Sequence, residues 1–319
     1  MPSTKFKLTL GRATREAYGD ALLELGTNNR DIVAIDADLA KSTFSWTFGK
    51  EFPERFFNIG IQEANMVGLA TGLASSGKIP FISSFAAFVL CKGFDQLRMG
   101  AAYPQLNVKV IGSHGGISIG EDGTSQQSVE DVALACALPN FIVCIPCDEH
   151  AMREAVHAAA RHDGPVYLRL GRPKAPVIHE PHVAFKFGEA IRLRDGVDLT
   201  IIANGLLVGQ AMLAAEALSE RGIEARVLDM HTVKPLDHSA VEAAARETGG
   251  IVVAEEHLHH GGLGSVVALS LAQNTPAPME VVNLGDQYAE SGKPDDLMQK
   301  YNLTSAAIIE AAERLLDRA

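Results

Sequence analysis

The chain has 319 residues, 47% of them hydrophobic and 21% charged, a composition typical of a soluble globular protein of about two domains. Its 39 acidic and 28 basic residues give a net charge of −11, which argues against a nucleic-acid-binding protein built on a basic face. The most apolar stretch (132–146) is too short to span a membrane and the N-terminus has no apolar segment typical of a secretory signal, so we expect a cytoplasmic protein without membrane contact.

The first half of the chain alternates short apolar runs with longer amphipathic ones. Strands are predicted at 31–39, 78–85, 107–113, 140–146 and 165–171. Helices are predicted at 14–26, 63–77, 129–139 and 148–162, the last with Asp148 as its cap. This alternation is typical of a doubly wound α/β domain with a mostly parallel sheet.

The alternation of strands and helices is interrupted at 173–196. This stretch has three prolines, few helix formers and two short β-like runs. Beyond it, strands are predicted at 198–205, 224–230, 249–256 and 279–285. Helices are predicted at 206–222, 237–249, 262–274 and 304–319. The predicted fold class is therefore α/β with two doubly wound domains, at 1–175 and 197–319, joined by a linker at 176–196.

The four cysteines do not indicate a disulfide-stapled secreted protein. Cys144 and Cys147 form a C-x-x-C pair, which raises the alternatives of a redox or metal site. Pro146 lies between them, and they follow the β-branched run of a predicted buried strand. Structural cysteines are therefore the favoured interpretation.

Three other motifs also favour ordinary structure. The histidines at 257–260 have no cysteine at matched spacing, which favours a polar loop over a metal site. The sequence GGLG at 261–264 lacks the full G-x-G-x-x-G spacing, which favours a strand-to-helix turn over a phosphate-binding loop. The sequence GISIG matches a hydrolase nucleophile elbow around Ser118, but EDG follows it at once and indicates a loop where the elbow needs a helix.

Three segments together suggest a ligand site. Glu63 begins an otherwise apolar helix, and Phe85 and Phe88 lie at i, i+3 on one face just after a strand. Residues 112–134 form a polar, glycine-rich segment of the length of a binding loop. A carboxyl group beside two aromatic rings and a glycine-rich loop suits a flat heteroaromatic ligand. Taken singly, an exposed helix-start glutamate and simple core packing of the phenylalanines are equally good explanations.

The same segments, with the sequences GIQEAN, SSFAAF and GEDGTSQQ, resemble the pyrimidine-binding domain of transketolase and its thiamine-diphosphate-dependent relatives. Residues 198–319 resemble the transketolase C-terminal domain, so the resemblance covers nearly the whole chain. The family's diphosphate-binding domain has no counterpart in this sequence, which implies the C-terminal subunit of a split transketolase.

The resemblance also implies the cofactor and the partner. Thiamine diphosphate is the expected cofactor, with a Mg²⁺ or Ca²⁺ ion whose ligands belong to an N-terminal partner subunit and not to this chain. An assembly with two copies of each chain is expected. The implied activity is transfer of a two-carbon ketol unit from a ketose phosphate to an aldose, as in pentose phosphate metabolism.

Three residues match the cofactor-binding positions of the family. Glu63 falls on the catalytic glutamate, which hydrogen-bonds the aminopyrimidine ring of the cofactor. Phe85 and Phe88 fall on aromatic positions that pack against that ring. A third aromatic position of many transketolases is Cys91 here, which implies a pocket of altered shape.

A further set of positions matches residues that contact the substrate in transketolases: Arg15, Asp38, Ser42, His114, Asp122, Gln126 and Arg172. His114 is also assigned a catalytic role. Arg15 and Arg172 suit phosphate binding because a guanidinium group can bind phosphate bidentately, with a solvated surface charge as the alternative for each. Gln126 falls on a family histidine, and a glutamine can donate a hydrogen bond but cannot carry a proton. Either another histidine, for instance of the partner chain, performs the proton transfer, or the substrate differs from the common pentose phosphates.

The sequence also allows functions other than that of a pentose phosphate transketolase subunit. Among enzymes, they are a transketolase for an unusual sugar, a 1-deoxyxylulose-5-phosphate synthase and a β subunit of a 2-oxo-acid dehydrogenase. From a different class, the chain could be a non-catalytic interaction subunit. The glutamate and the two phenylalanines of the expected cofactor site argue against that last alternative.

Overall fold

The structure is a computed structural model that describes residues 8–318. Residues 1–7, part of the N-terminal segment without a predicted secretory signal, and Ala319, the last residue of the predicted C-terminal helix, lie outside the described residues.

The strands are β1 (Leu10–Ala13), β2 (Ile32–Asp36), β3 (Phe56–Asn58), β4 (Ile79–Phe85), β5 (Lys109–Ser113), β6 (Ile142–Cys144), β7 (Val166–Arg169), β8 (Lys174–Pro176), β9 (Ile191–Arg194), β10 (Leu199–Ala203), β11 (Ala225–Asp229), β12 (Thr232–Lys234), β13 (Ile251–Ala254) and β14 (Met279–Val282). The helices are α1 (Thr14–Asn28), α2 (Ala40–Thr43), α3 (Trp46–Glu51), α4 (Glu63–Ser75), α5 (Ala86–Gln96), α6 (Asp131–Ala137), α7 (Glu149–Arg161), α8 (Leu207–Ser219), α9 (His238–Glu247), α10 (Leu263–Gln273), α11 (Pro294–Lys300) and α12 (Ser305–Leu316). A 3-10 turn spans Pro53–Arg55, and a π-helical segment, Leu97–Ala102, extends α5. None of the helices among the described residues is both long and apolar enough to cross a membrane.

A seven-stranded sheet forms the first half of the chain, in the order β12-β6-β7-β5-β4-β2-β3. All its strands are parallel except β12, which pairs antiparallel with β6. Its central strands are buried and mostly apolar, as is typical of parallel strands covered on both faces. The core on one face includes α1 and α7, and the core on the other includes α4, α5 and α6.

A five-stranded sheet forms the second half, in the order β14-β13-β10-β11-β9. It is parallel except for β9, which pairs antiparallel with β11. The core on one face includes α8 and α12, and the core on the other includes α9 and α10. Strands β1 and β8 form a separate two-stranded antiparallel sheet.

The predicted fold class, α/β with two doubly wound domains, is confirmed. Every strand and helix predicted above corresponds to an element at that place in the chain, and β8 and β9 are the two short β-like runs. The elements that were not predicted are α5 with its π-helical extension and six short elements: β1, β3, β12, α2, α3 and α11.

The two halves are joined by more than the intervening segment. Strand β9 lies inside the predicted linker at 176–196 and belongs to the five-stranded sheet. Strand β12 comes from the second half but extends the seven-stranded sheet, and Lys234 at its end donates to the carbonyls of Cys136 and Leu138. One apolar core cluster also contains residues of both sheets. The domain limits derived from the sequence stay a prediction.

Candidate active site

Adjacent parallel strands bring the predicted site residues to one edge of the seven-stranded sheet. Strands β2, β4 and β5 are neighbours, and Asp38, Phe85 and His114 lie at or just after their carboxyl ends. Glu63 follows β3, and Arg172 follows β7. In open α/β sheets, ligands bind at this edge. The topology therefore supports a single site.

Glu63 is the first residue of α4 and is only 3% exposed. Its Oε1 atom is buried without a hydrogen-bond partner among the described residues, and its Oε2 lies 3.8 Å from Nζ of Lys92. The helix dipole favours a carboxylate in this position, but a buried oxygen without a donor is costly. The alternative of an exposed helix-start glutamate is wrong, and Oε1 is available to a donor on a ligand.

The rings of Phe85, Phe88 and His114 form a stack. The centroids of Phe85 and Phe88 are 5.5 Å apart with 22° between the planes, and those of Phe85 and His114 are 3.9 Å apart with 25°. Nζ of Lys92 lies 4.2 Å from the centroid of Phe88, so Lys92 links the aromatic stack to Glu63. Lys92 was not predicted, although its i, i+4 spacing from Phe88 on α5 could have indicated it.

His114 is buried, and its positive φ of 61° turns the chain sharply after β5. Its Nδ1 lies 2.8 Å from the hydroxyl of Ser113. Burial, reinforced by the positive charges of Arg15 and Arg172, lowers the pKa of His114 to about 3. The ring is therefore a neutral imidazole at physiological pH, able both to donate and to accept a hydrogen bond.

The lowered pKa of His114 predicts a pH-dependent loss of stability. Since the unfolded chain binds a proton below the ordinary pKa of 6.5 and the folded chain does not, the free energy of unfolding falls as the pH drops from 6.5 toward 3. At pH 5 this loss amounts to about 2 kcal/mol, and His114→Gln removes it. Denaturant unfolding of wild type and of His114→Gln at pH 7.5 and pH 5 measures this difference. An equal fall in the free energy of unfolding of the two proteins would contradict the prediction.

Arg15 and Arg172 form a pair of cations near His114. Arg15 Nε donates to the carbonyl of Arg172 at 3.3 Å, and its Nη1 donates to the carbonyl of Ser42 at 2.8 Å. Burial and the neighbouring Arg172 lower the pKa of Arg15. Arg172 Nη1 lies 3.0 Å from the carboxylate of Glu121 and also donates to the carbonyl of Ile119. Because Arg15 is held by neutral carbonyls, its charge remains available to an anion.

Asp38 and Ser42 line one surface pocket together with Trp46 and Asn58. The side chain of Asn58 donates to Asp38 Oδ1 and accepts from the backbone N–H of Asp38, each at 3.1 Å. Because the carbonyl of Ser42 also holds Arg15, this pocket adjoins the pair of cations.

Asp122 and Gln126 lie on the loop between β5 and α6. Asp122 is exposed and follows Glu121, the carboxylate partner of Arg172. Gln126 is half-buried, and its Oε1 accepts a hydrogen bond from the neighbouring Ser125. Asp122 is thus the sequence neighbour of the carboxylate that pairs with Arg172, and the side-chain hydrogen bond of Gln126 is made within the loop.

Residues of both halves hold this loop in place. Glu256 Oε1 accepts from the backbone N–H of Ser118 at 2.6 Å, and a Cβ on Gly116 would lie 2.2 Å from that carboxyl group. Arg169 Nη2 donates to the carbonyls of Ser128 and Glu256 at 2.8 and 3.0 Å. These contacts were not predicted, because they join residues distant in the sequence.

The other motifs have structural roles. Ser118 is buried in a loop without a helix after it, so the nucleophile elbow is excluded. The carboxylate of Glu255 accepts from two backbone N–H groups of the turn at 261–264, which leaves those donors unavailable to a phosphate. His257 is buried, and its ring nitrogens contact the carbonyl of Leu258 and the backbone N–H of Ala133.

Comparison with known proteins gives two family matches. The family model described as "Transketolase, pyrimidine binding domain" matches residues 11–177, and the one described as "Transketolase, C-terminal domain" matches residues 188–308.

Similar proteins of about the same length are known. A "Putative transketolase C-terminal section" of Methanocaldococcus jannaschii is 40% identical over 309 residues, which is 96% of each chain. A "6-deoxy-6-sulfo-D-fructose transketolase subunit SqwH" of Clostridium sp. strain MSTE9 is 42% identical over 95% of this chain and 94% of that one. A solved structure described as "Split gene transketolase, inactive beta4 tetramer" is 45% identical, with a TM-score of 0.90, and the match covers 96% of this chain and 99% of that one.

Proposed function

The chain belongs to the transketolase family, and from this premise we propose that it is the C-terminal subunit of a split, thiamine-diphosphate-dependent transketolase. The similar chains span the same two domains over nearly their full lengths, which supports a separate partner subunit with the diphosphate-binding domain. The related tetramer of a single kind of subunit is described as inactive, which supports the expectation that this chain does not act alone.

The observation that carries this proposal is the buried Glu63 carboxylate beside an aromatic stack. Oε1 of Glu63 needs a donor that the described residues do not supply, and Phe88 lies beside the Lys92 ammonium that faces Oε2. A flat heteroaromatic ring whose nitrogen shares a proton with Glu63 satisfies Oε1, and Phe85 and Phe88 pack against that ring. These residues thus fit the aminopyrimidine of thiamine diphosphate.

When bound, thiamine diphosphate supplies an electron sink for cleavage of the carbon–carbon bond beside a ketose carbonyl. The task of Glu63 is to hold a proton at the pyrimidine ring nitrogen in a site shielded from water. The two phenylalanines orient the ring and exclude water. The Mg²⁺ or Ca²⁺ ion and the diphosphate are assigned to the partner subunit.

The substrate is assigned to the groups around the pair of cations. Arg15 and Arg172 bind the anionic end of the sugar, with Ser42 beside them. Asp38 and Asp122 are assigned to sugar hydroxyl groups. His114, as a neutral imidazole stacked on Phe85, is assigned the hydrogen bond to the reacting carbonyl oxygen.

A transketolase for an unusual sugar is the second candidate. It is favoured by Gln126 at the position of a family histidine and by the relative that acts as a 6-deoxy-6-sulfo-D-fructose transketolase subunit. A sulfonate and a phosphate are both anions that a pair of guanidinium groups can bind. Either substrate is consistent with the proposed reaction and with a cytoplasmic enzyme.

The proposed function is tested by reconstituting the enzyme from its two chains. We expect no ketol transfer from either chain alone and cofactor-dependent transfer after mixing, because each chain holds half of the site. The measurement is the rate of aldose formation from ketose phosphates, with omission of thiamine diphosphate as the control. Full activity of the isolated chain would contradict the split-subunit assignment, and an inactive mixture that still binds the cofactor would support the non-catalytic alternative.

A further inference from the structure

A second cluster of reactive side chains, which includes none of the candidate active-site residues, lies where the two halves of the chain meet. Cys147 lies in the turn between β6 and α7, His179 in the segment between the halves, and Asp229 at the end of β11. All three side chains are buried, with residue exposures of 1%, 5% and 0%. Three distant segments therefore place a thiol, an imidazole and a carboxylate together in the interior.

The three donor atoms lie at distances suited to a shared cation. Nε2 of His179 is 2.8 Å from Oδ2 of Asp229, and Sγ of Cys147 is 3.4 Å from the same oxygen. All three lie within 4.8 Å of one another. Ligand atoms around a tetrahedral zinc ion, with bonds of about 2.0–2.3 Å, are separated by roughly 3–4 Å. Small side-chain adjustments bring the three atoms to that separation.

One further feature indicates a fourth donor. Oδ1 of Asp229 is buried without a hydrogen-bond partner in the described part of the chain. This free carboxylate oxygen is available to complete the coordination of the ion.

The position of His179 is fixed independently of any cation. Oδ2 of Asp148, the N-cap residue of α7, accepts hydrogen bonds from the backbone N–H groups of Ile178 and His179 at 2.8 and 2.7 Å. This carboxylate therefore holds the backbone from which His179 reaches Asp229.

We propose that Cys147, His179 and Asp229 form a binding site for a divalent zinc-type cation that links the two halves of the chain. A thiolate, an imidazole and a carboxylate form a mixed donor set that suits zinc better than Mg²⁺ or Ca²⁺, which prefer oxygen ligands. Binding releases the thiol proton of Cys147 to solvent. The proton shared between Nε2 of His179 and Oδ2 of Asp229 moves to Nδ1 of His179 or to solvent, so that His179 binds as a neutral imidazole through Nε2. The ion joins the first sheet, the connecting segment and the second sheet.

The C-x-x-C pair does not form this site. Cys144 packs in the core cluster that contains α1 and α7, whereas Cys147 packs in the cluster that contains α8 and α12. Both are free thiols. Cys144 is therefore a matched control, since it is a buried cysteine three residues away that lies outside the cluster.

The test uses the full chain, stripped of metal with a chelator and titrated with Co²⁺ alone. We expect one Co²⁺ per chain, with tetrahedral d–d bands and a thiolate-to-cobalt charge-transfer band. Cys147→Ser should abolish the charge-transfer band and weaken binding on the order of 100-fold or more, since even changes beside a metal ligand cost about 10–100-fold. His179→Ala should weaken binding similarly, whereas Cys144→Ser and the exposed Cys91→Ser should behave as wild type.

The wild-type titration alone decides the proposal even if a variant does not fold. Absence of a stoichiometric charge-transfer band in the folded wild-type chain would overturn it, as would an unchanged band in folded Cys147→Ser. A second readout is the thermal unfolding of the stripped chain, which should shift upward on adding Zn²⁺ in wild type and Cys144→Ser but not in Cys147→Ser. The proposal is independent of the ketol-transfer assignment, because none of these readouts requires activity.

Discussion

Glu63→Gln is expected to lower kcat of the reconstituted enzyme by about 10²- to 10⁴-fold, the usual contribution of a positioned acid or base. Glutamine has nearly the same size as glutamate, and its amide oxygen can still accept a hydrogen bond where Oε1 of Glu63 lacks a partner. It cannot hold or exchange a proton at the pyrimidine ring. Assembly with the partner and the affinity for thiamine diphosphate should therefore change little, while proton exchange at C2 of the bound cofactor should become slow.

The matched control is Glu51→Gln, which removes a negative charge from an exposed residue at the end of α3. This variant should retain wild-type turnover and wild-type C2 exchange. If Glu63→Gln bound the cofactor and exchanged the C2 proton at the wild-type rate, Glu63 would not have the proposed role.

Arg15→Gln and Arg172→Gln are each expected to raise KM for an anionic ketose substrate by about 10- to 100-fold. A charge-assisted hydrogen bond to an anion contributes about 1.5–3 kcal/mol, and each 1.4 kcal/mol corresponds to a factor of about ten. The effect of Arg15→Gln should be the larger, because Arg15 is held by carbonyl groups, while the carboxylate of Glu121 already partly neutralises Arg172. The loss of binding should be largest at low ionic strength.

Two comparisons make this second prediction specific. A ketose without an anionic group should show nearly the same KM with wild type and with either variant. Arg12→Gln is the control variant. Arg12 is an exposed residue of β1, just before the helix that carries Arg15, and it pairs with Asp20 at 2.7 Å. An equal rise of KM for charged and uncharged sugars would contradict the assignment of the pair of cations to the anionic end of the substrate.

The sequence predicted the fold well where the pattern was long and local. The core strands of both sheets are buried apolar runs followed by amphipathic helices, so composition and periodicity suffice to locate them. Strand β12 could not be predicted in this way, because its three residues gain their place only by pairing with β6, far away in the chain. Strand β1 could not be predicted either, because it pairs with β8, which follows the last strand of the first half of the chain.

Part of the candidate site could also be predicted from local sequence patterns. Phe85 and His114 lie at or just after the carboxyl ends of predicted strands, and a parallel sheet brings these ends to one edge. Glu63 follows β3, which was not predicted. Burial of Glu63 and its oxygen without a partner could not be predicted, since spacing alone also fits an exposed helix start. The contact of Glu256 with the glycine-rich loop depends on how the two halves pack, which no local pattern encodes.

The central claim is that this chain and a partner subunit share one thiamine diphosphate site. The most direct test is a thiamine diphosphate titration, with Mg²⁺ present, of this chain, of the partner and of their equimolar mixture, followed by isothermal calorimetry. We predict saturable binding with one cofactor per pair of chains in the mixture and binding at least about tenfold weaker to each chain alone, because half of the contacts are then missing. Equal affinity of the partner alone and of the mixture would contradict the claim.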